Sequence, residues 1–214
     1  MAHDVSGLIT PERRELIDLG TATLGESGAT ALSARIRPMW KGAAFAAPAM
    51  TASCADGDNL ALHVALARAA PGVVLAAAFA GDAVRGNWGE VMTTAAEVAG
   101  VAALVIDGAV RDVAAIEDHG FPVFARGVAL PGAAKDGPGA VQVPVMLGDV
   151  LVRPGDWLVG DADGVVVIAA EQLAQVRAAS ARRAEQEAGY FTALRGGATT
   201  VDAFALDVSS IAGA

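Results

Sequence analysis

From Leu60 to Ala125 the chain alternates amphipathic stretches with short runs that are apolar throughout. Leu60 to about Ala69 has helical character, starts from the turn Asp56-Gly57-Asp58-Asn59 and stops at Pro71-Gly72. Val73 to Phe79 is a bare apolar run that predicts a buried strand, and Gly81 to Asn87 a loop. A helix follows over roughly Val91–Ala99, closed by Gly100, then a strand over roughly Ala102–Ile106. Val113 to Asp118 reads as a short helix, and Gly120-Phe121-Pro122 turns it into a strand at Val123–Ala125. Such alternation implies a parallel or mixed sheet of βαβ units.

The pattern differs on either side. Upstream, Thr10-Pro11-Glu12 carries a helix start, with Thr as cap and Pro in the first turn. That helix runs to about Leu19 and Gly20 closes it; Thr21 to Gly28 holds a second helical piece. Ile36–Trp40 and Ala43–Ser53 read as extended. Downstream, a Gly/Pro/Ala loop at Gly132–Gly139 leads into short strands at Val141–Leu147, Val150–Val152, Trp157–Val159 and Val165–Ile168. Tight turns at Pro154-Gly155-Asp156 and Asp163-Gly164 separate the later ones. A long helix from about Glu171 to Leu194 ends at Gly196-Gly197. The expectation is an α/β chain forming one domain over residues 1–214, with a central βαβ layer, a second β layer and helices at both ends.

Composition narrows the function. The chain is 54% hydrophobic but only 5% aromatic, and its net charge is −9. An acidic chain without a Lys/Arg cluster argues against a nucleic-acid partner. Arg177, Arg182 and Arg183 are interleaved with Glu185 and Glu187 and read as a solvated helix face. Cys54 is the only cysteine, which excludes an internal disulfide and a thiolate zinc site. Polar residues through the first twenty positions argue against a signal peptide, and no apolar run reaches membrane length, so a cytoplasmic location is expected.

The three histidines, His3, His63 and His119, share no ligand spacing, and His63 reads as a core or subunit-contact residue. The loop Gly86–Gly89 before a helix could offer N–H groups to a small anion. Glu90 precedes Arg111-Asp112 by one helix and one strand, a unit that returns its ends to the same sheet edge. Asp107, Arg111 and Asp112, beyond a buried strand, are expected to converge on one pocket, where ligand sites gather in such sheets. Carboxylates without His or Cys suit a hard ion, Mg²⁺ or Mn²⁺.

Gly57-Asp58-Asn59-Leu60 with His63-Val64-Ala65, Trp88-Gly89-Glu90, Val105-Ile106-Asp107 and Val110-Arg111-Asp112 resemble the divalent-metal pyruvate aldolases of the RraA-like family. Gly120-Phe121-Pro122-Val123, Val152-Arg153-Pro154-Gly155-Asp156 and Asp161-Ala162-Asp163-Gly164-Val165-Val166 extend the likeness from about Leu16 to Leu194. Those enzymes cleave 4-hydroxy-4-methyl-2-oxoglutarate and 4-carboxy-4-hydroxy-2-oxoadipate, and the family also contains the RraA regulators of ribonuclease E. The resemblance implies a swivelling β/β/α fold and a homotrimer or homohexamer with sites between subunits. It makes Asp112 the Mg²⁺ or Mn²⁺ ligand and Arg111 the holder of the pyruvyl moiety. It gives Gly89, Glu90 and the backbone N–H groups of Val91 and Met92 to the substrate carboxylate. Acids of a neighbouring subunit would complete the catalytic set, by position Glu187 (with Glu185 competing) and Glu26. Two departures stand out: Glu90 where the family usually has Asp, and Asp107-Gly108-Ala109 where the aldolases often have Asp-Ala-Gly. The retained acid at Glu90 favours an enzyme of a 2-oxo acid over a protein-binding regulator. The pyruvate enolate that such cleavage forms also arises when oxaloacetate loses CO₂, so decarboxylation is the natural side activity.

Overall fold

The computed structural model describes residues 10–81 and 84–213. His3 and the start of the polar N-terminal stretch lie outside them. α1 (Pro11–Glu26) begins as its sequence requires, with Thr10 Oγ1 accepting from the Arg13 N–H at 3.4 Å. It is two helical pieces broken at Gly20, where φ is 77° and ψ 155°. The second piece starts on Thr21, whose N–H and hydroxyl both donate to the Asp161 carboxylate at 2.7 Å, so the N–H freed at the break is satisfied by a side chain.

β1 (Thr30–Ala31), β2 (Arg37–Pro38) and the ten-residue β3 (Phe45–Cys54) follow. Then come α2 (Leu60–Arg68), β4 (Val74–Phe79), α3 (Glu90–Val98), β5 (Ala103–Ile106), β6 (Ala109–Val110), α4 (Val113–His119) and β7 (Val123–Ala125). The remainder comprises β8 (Gly127–Val128), β9 (Gly139–Val141), β10 (Val145–Leu147), β11 (Val150–Val152), β12 (Trp157–Asp161), β13 (Gly164–Ile168), α5 (Leu173–Arg195) and α6 (Thr200–Ala203).

The main sheet runs β1-β13-β12-β3-β4-β5-β7-β2, with β9 also on β3. β3 joins its two halves. Phe45–Pro48 pairs antiparallel with β12, and Ala49–Cys54 pairs parallel with β4. The expected second β layer is therefore partly a continuation of the first sheet, with only β10 and β11 forming a separate hairpin. Ala31 and Arg37 sit at opposite ends of the strand order although six residue steps span at most about 20 Å. A flat sheet would hold their strands about 34 Å apart, so the sheet curls until its ends meet. Arg37 Nη1 closes the seam by donating to Asp163 O at 2.7 Å.

Alternation along the central strands builds two cores. Leu75, Ala77, Leu104 and Ile106 pack with α2, α3 and α4; Val74, Ala76, Ala103 and Val105 face Phe45, Phe124, Leu147 and Leu158 inside the curl. A third cluster holds Leu16 and Leu24 of α1 and Val176 of α5 against Val159, Val166 and Ile168. This is the α/β arrangement of mixed strands and a long C-terminal helix that the pattern implies.

Two sequence expectations are corrected. Val141–Leu147 is not one strand, because Gln142 adopts φ 57° and Pro144 follows, ending β9 before β10 begins. Within Ile36–Trp40 only Arg37 and Pro38 pair; Trp40 leaves the ladder to donate its indole N–H to Phe121 O at 2.8 Å.

Candidate active site

Three extended segments are laced together at the ends of the parallel strands. Gly86 N donates to Pro131 O (2.8 Å), Asn87 N to Ala109 O (2.9 Å), Arg111 N to Trp88 O (2.9 Å) and Ala129 N to Val110 O (2.9 Å). Trp88 pins this lattice. It is 1% exposed, stacks on Phe121 at 6.2 Å, and its indole N–H donates to Thr93 Oγ1 at 2.8 Å. Thr93 Oγ1 in turn donates to Gly89 O. The entry to α3 is thus fixed from inside, and its first turn opens on a cavity of about 220 Å³.

Arg111 and Asp112 line that cavity together with Gly89, Val91 and Met92. Asp112 occupies the left-handed region (φ 57°, ψ 39°), which Asp tolerates better than most residues. The turn directs its carboxylate away from α4, which it precedes, and toward α3: Oδ2 accepts the Glu90 N–H at 3.1 Å. The Arg111 Nε lies 3.6 Å from the same oxygen. Gly89 is required by this approach, since a Cβ there would collide with Asp112 Oδ2. The helix unit between Glu90 and Arg111-Asp112 therefore does return its ends to one place.

The sequence-derived residues separate into two groups. The Met92 N–H bonds to Gly89 O at 3.1 Å, while the Val91 N–H has no partner among the described residues. The Glu90 side chain turns outward, 57% exposed, with Oε1 3.9 Å from His119 Nε2. Glu26 and Glu187 are brought to each other, through ion pairs with Arg183, on the α1–α5 face. Glu187 lines a groove there, bordered by Asp18, Leu19 and Phe191, and neither acid lines the cavity of Arg111. Asp107 corrects the expected convergence of three charges: it pairs with Arg126 and accepts the Gly148 N–H at 3.2 Å, lining a separate cavity.

Sequence reasoning missed part of the wall. Lys135 lines the cavity, its ammonium donating to Ala133 O at 3.2 Å, and so do Asn59, Asn87 and His63. Asn59 Nδ2 donates to Asn87 O at 2.7 Å, which fixes the amide's orientation and leaves its Oδ1 buried without a partner among the described residues. His63 Nε2 is also buried and unpartnered among the described residues. Burial and the Lys135 charge lower the His63 pKa, with Asp58 acting in the opposite sense. The loop carrying Lys135 is held by Asp58, whose Oδ2 accepts the N–H groups of Asp136 and Gly137 at 2.8 Å and whose Oδ1 accepts that of Leu60. Burial pushes the Asp58 carboxyl up, but these three bonds and Lys135 outweigh it and hold it below the usual value. Asp58 was visible in the Gly57-Asp58-Asn59 turn; its distant partners were not.

Two cations and a helix N-terminus on one small cavity favour an anionic guest. One carboxylate with an oxygen not bonded by the described residues (Asp112 Oδ1) suits Mg²⁺ or Mn²⁺, which take one or two carboxylates and complete their shell with water and substrate. No cluster of three or more His, Cys, Asp or Glu that could hold a metal occurs among the described residues. No described helix is long and apolar enough to cross a membrane.

Residues 15–167 match the family described as RraA-like, Aldolase/RraA. A protein of Halalkalibacterium halodurans named "Putative 4-hydroxy-4-methyl-2-oxoglutarate aldolase" is 40% identical over 162 residues, 75% of this chain and 77% of its own. Among solved structures, an uncharacterized protein from Pseudomonas syringae pv. tomato superposes with a TM-score of 0.79 at 26% identity, covering 92% of this chain and 95% of that one. The RNA-processing inhibitor RraA from Thermus thermophilis superposes at 0.63 and 27% identity, over 69% of this chain and 91% of its own.

Proposed function

The chain belongs to the RraA-like family, Aldolase/RraA, and from that premise we propose that it is a divalent-metal-dependent pyruvate aldolase. Its substrate is a 4-hydroxy-2-oxo di- or tricarboxylic acid of the 4-hydroxy-4-methyl-2-oxoglutarate or 4-carboxy-4-hydroxy-2-oxoadipate type. The observation that carries this reading is the placing of Arg111, Lys135, the α3 N-terminus and the Asp112 carboxylate on one small cavity.

Each feature has a task. The Arg111 guanidinium and the open N–H of Val91 receive the 2-oxo acid carboxylate and fix its orientation. Asp112 is the residue that holds Mg²⁺ or Mn²⁺, which when bound supplies a Lewis acid for the 2-oxo group. Cleavage removes the C4 hydroxyl proton, breaks the C3–C4 bond and leaves the electron pair on the pyruvyl fragment as its enolate. Arg111 then opposes that charge from a fixed position, the arrangement by which preorganised groups favour a transition state. Glu90, and Glu26 and Glu187 of a neighbouring subunit in a homotrimer or homohexamer, are the acids that would orient the water taking the proton. Oxaloacetate decarboxylation follows as a side activity because it forms the same enolate.

The test is pyruvate release, coupled to NADH oxidation by lactate dehydrogenase, after chelation and again with Mg²⁺ or Mn²⁺ restored. Metal-dependent turnover of an aldol substrate is expected. Asp112→Ala should abolish it, and Arg111→Ala should lower kcat/KM by on the order of 100-fold or more, the scale of losing one preorganised charge-stabilising donor. Wild-type turnover by Asp112→Ala would refute the site. A second reading, a protein-binding regulator, draws support from the likeness to the Thermus thermophilis RraA. Ribonuclease inhibition by a chain that binds no metal and releases no pyruvate would establish it.

A further inference from the structure

Outside the cavity, α3 carries two acids on one face. Glu90 and Glu97 are seven positions apart, two helical turns or about 10.5 Å. The side chain of His119, last residue of α4, lies between them. Its Nδ1 is 2.9 Å from Glu97 Oε2 and its Nε2 is 3.9 Å from Glu90 Oε1. One imidazole thus spans the gap, with Nδ1 at hydrogen-bond distance from Glu97 and Nε2 at ion-pair distance from Glu90. Glu97 is only 12% exposed and its Oε1 is buried without a hydrogen-bond partner among the described residues. The inner end of the bridge is therefore the rigid one. The outer end, where Glu90 is 57% exposed, is the one free to move.

This arrangement bears on Glu90 in particular. A glutamate has one more rotatable bond than an aspartate, so its carboxylate needs a partner to hold a single position over the first turn of α3. We propose that His119, buttressed by Glu97, is the positioning residue for Glu90. It holds the carboxylate beside α4, on the outer face of α3, at a fixed reach from the contact of the Glu90 N–H with Asp112. The Nδ1–H donates to Glu97 and orients the ring, and the Nε2 face meets Glu90. Both titratable groups that face His119 come from α3; its own helix adds Glu117 and Asp118 on exposed positions. An aspartate at position 90 would fall short of the ring, so the bridge belongs to the glutamate.

The inference rests on the reading of Glu90 as an acid of the reaction, and a double-mutant cycle separates the two. His119→Gln is expected to lower kcat by about two- to fivefold, the size a partly exposed ion pair supports, with KM little changed. It should also alter the pH profile of kcat. In a Glu90→Asp background the same change should have no further effect on kcat. Equal losses in both backgrounds, or no loss in either, overturn the inference while leaving the role of Glu90 intact. Full activity of Glu90→Gln overturns both. The same cycle read by thermal unfolding needs no substrate: Glu90 and His119 should be non-additive, and additive midpoints overturn the bridge.

Discussion

Asp112 shows how one residue's backbone can aim a site. Its left-handed φ is what parts the carboxylate from α4 and gives it to α3. Arg111 and Asp112 could be read from sequence because a buried strand followed by a polar turn marks a sheet edge. Lys135 could not, since it lies in a Gly/Ala/Pro loop without periodicity and depends on Asp58, 77 residues earlier, to place it. His63 was taken for a core or contact residue; whether a helical side chain faces a core or a cavity is decided by what packs above the helix. Its lowered pKa has a consequence for stability. Between the usual imidazole value of 6.5 and its own lower one, the unfolded chain binds a proton that the folded chain refuses. The contribution is full above pH 6.5 and is lost as pH falls through the folded value. Asp58, held below 3.8, adds a second loss at more acid pH. Thermal midpoints recorded across pH should therefore fall in two stages, and His63→Gln should remove the upper one.

At the scale of elements, the glycines that bound α3 and the strand after it made their limits legible to within a residue or two. Alternation made the two faces of β4 and β5 legible as well. The role of β3 was not, because an uneven run of small residues says nothing about which partner each half will take. Where its first half meets β12, Gly160 lies against the rings of Phe45 and Phe124, whose centroids are 5.3 Å apart edge to face. A Cβ at Gly160 would run into both rings. Gly160→Ala is expected to destabilise the fold by about 1–3 kcal/mol, the usual penalty for overpacking, as read from chemical denaturation. An unchanged midpoint would mean that the rings have room to move.

At the scale of the molecule, α1 and α5 are tied by charge as well as by their apolar stripe. Arg177 pairs with Glu12 and Glu15, and Arg183 with Glu26 and Glu187. The sequence offered these arginines only as a solvated face, since their partners on α1 lie more than 150 residues away. The curl of the sheet was equally hidden, because it follows from the strand order and not from any local pattern. That curl also imposes a timetable on a chain made from its N-terminus. Phe45–Pro48 must wait for Trp157–Gly160 to be synthesised before that edge is covered. About 100 residues separate them, roughly 5–20 s of translation. Throughout that interval an apolar strand edge stands open to any other nascent chain, the condition under which edges associate wrongly. A chain stopped before Trp157 should therefore be recovered as aggregate and the full chain as soluble protein. The ribosome-bound intermediate is the form of this protein most in need of a chaperone.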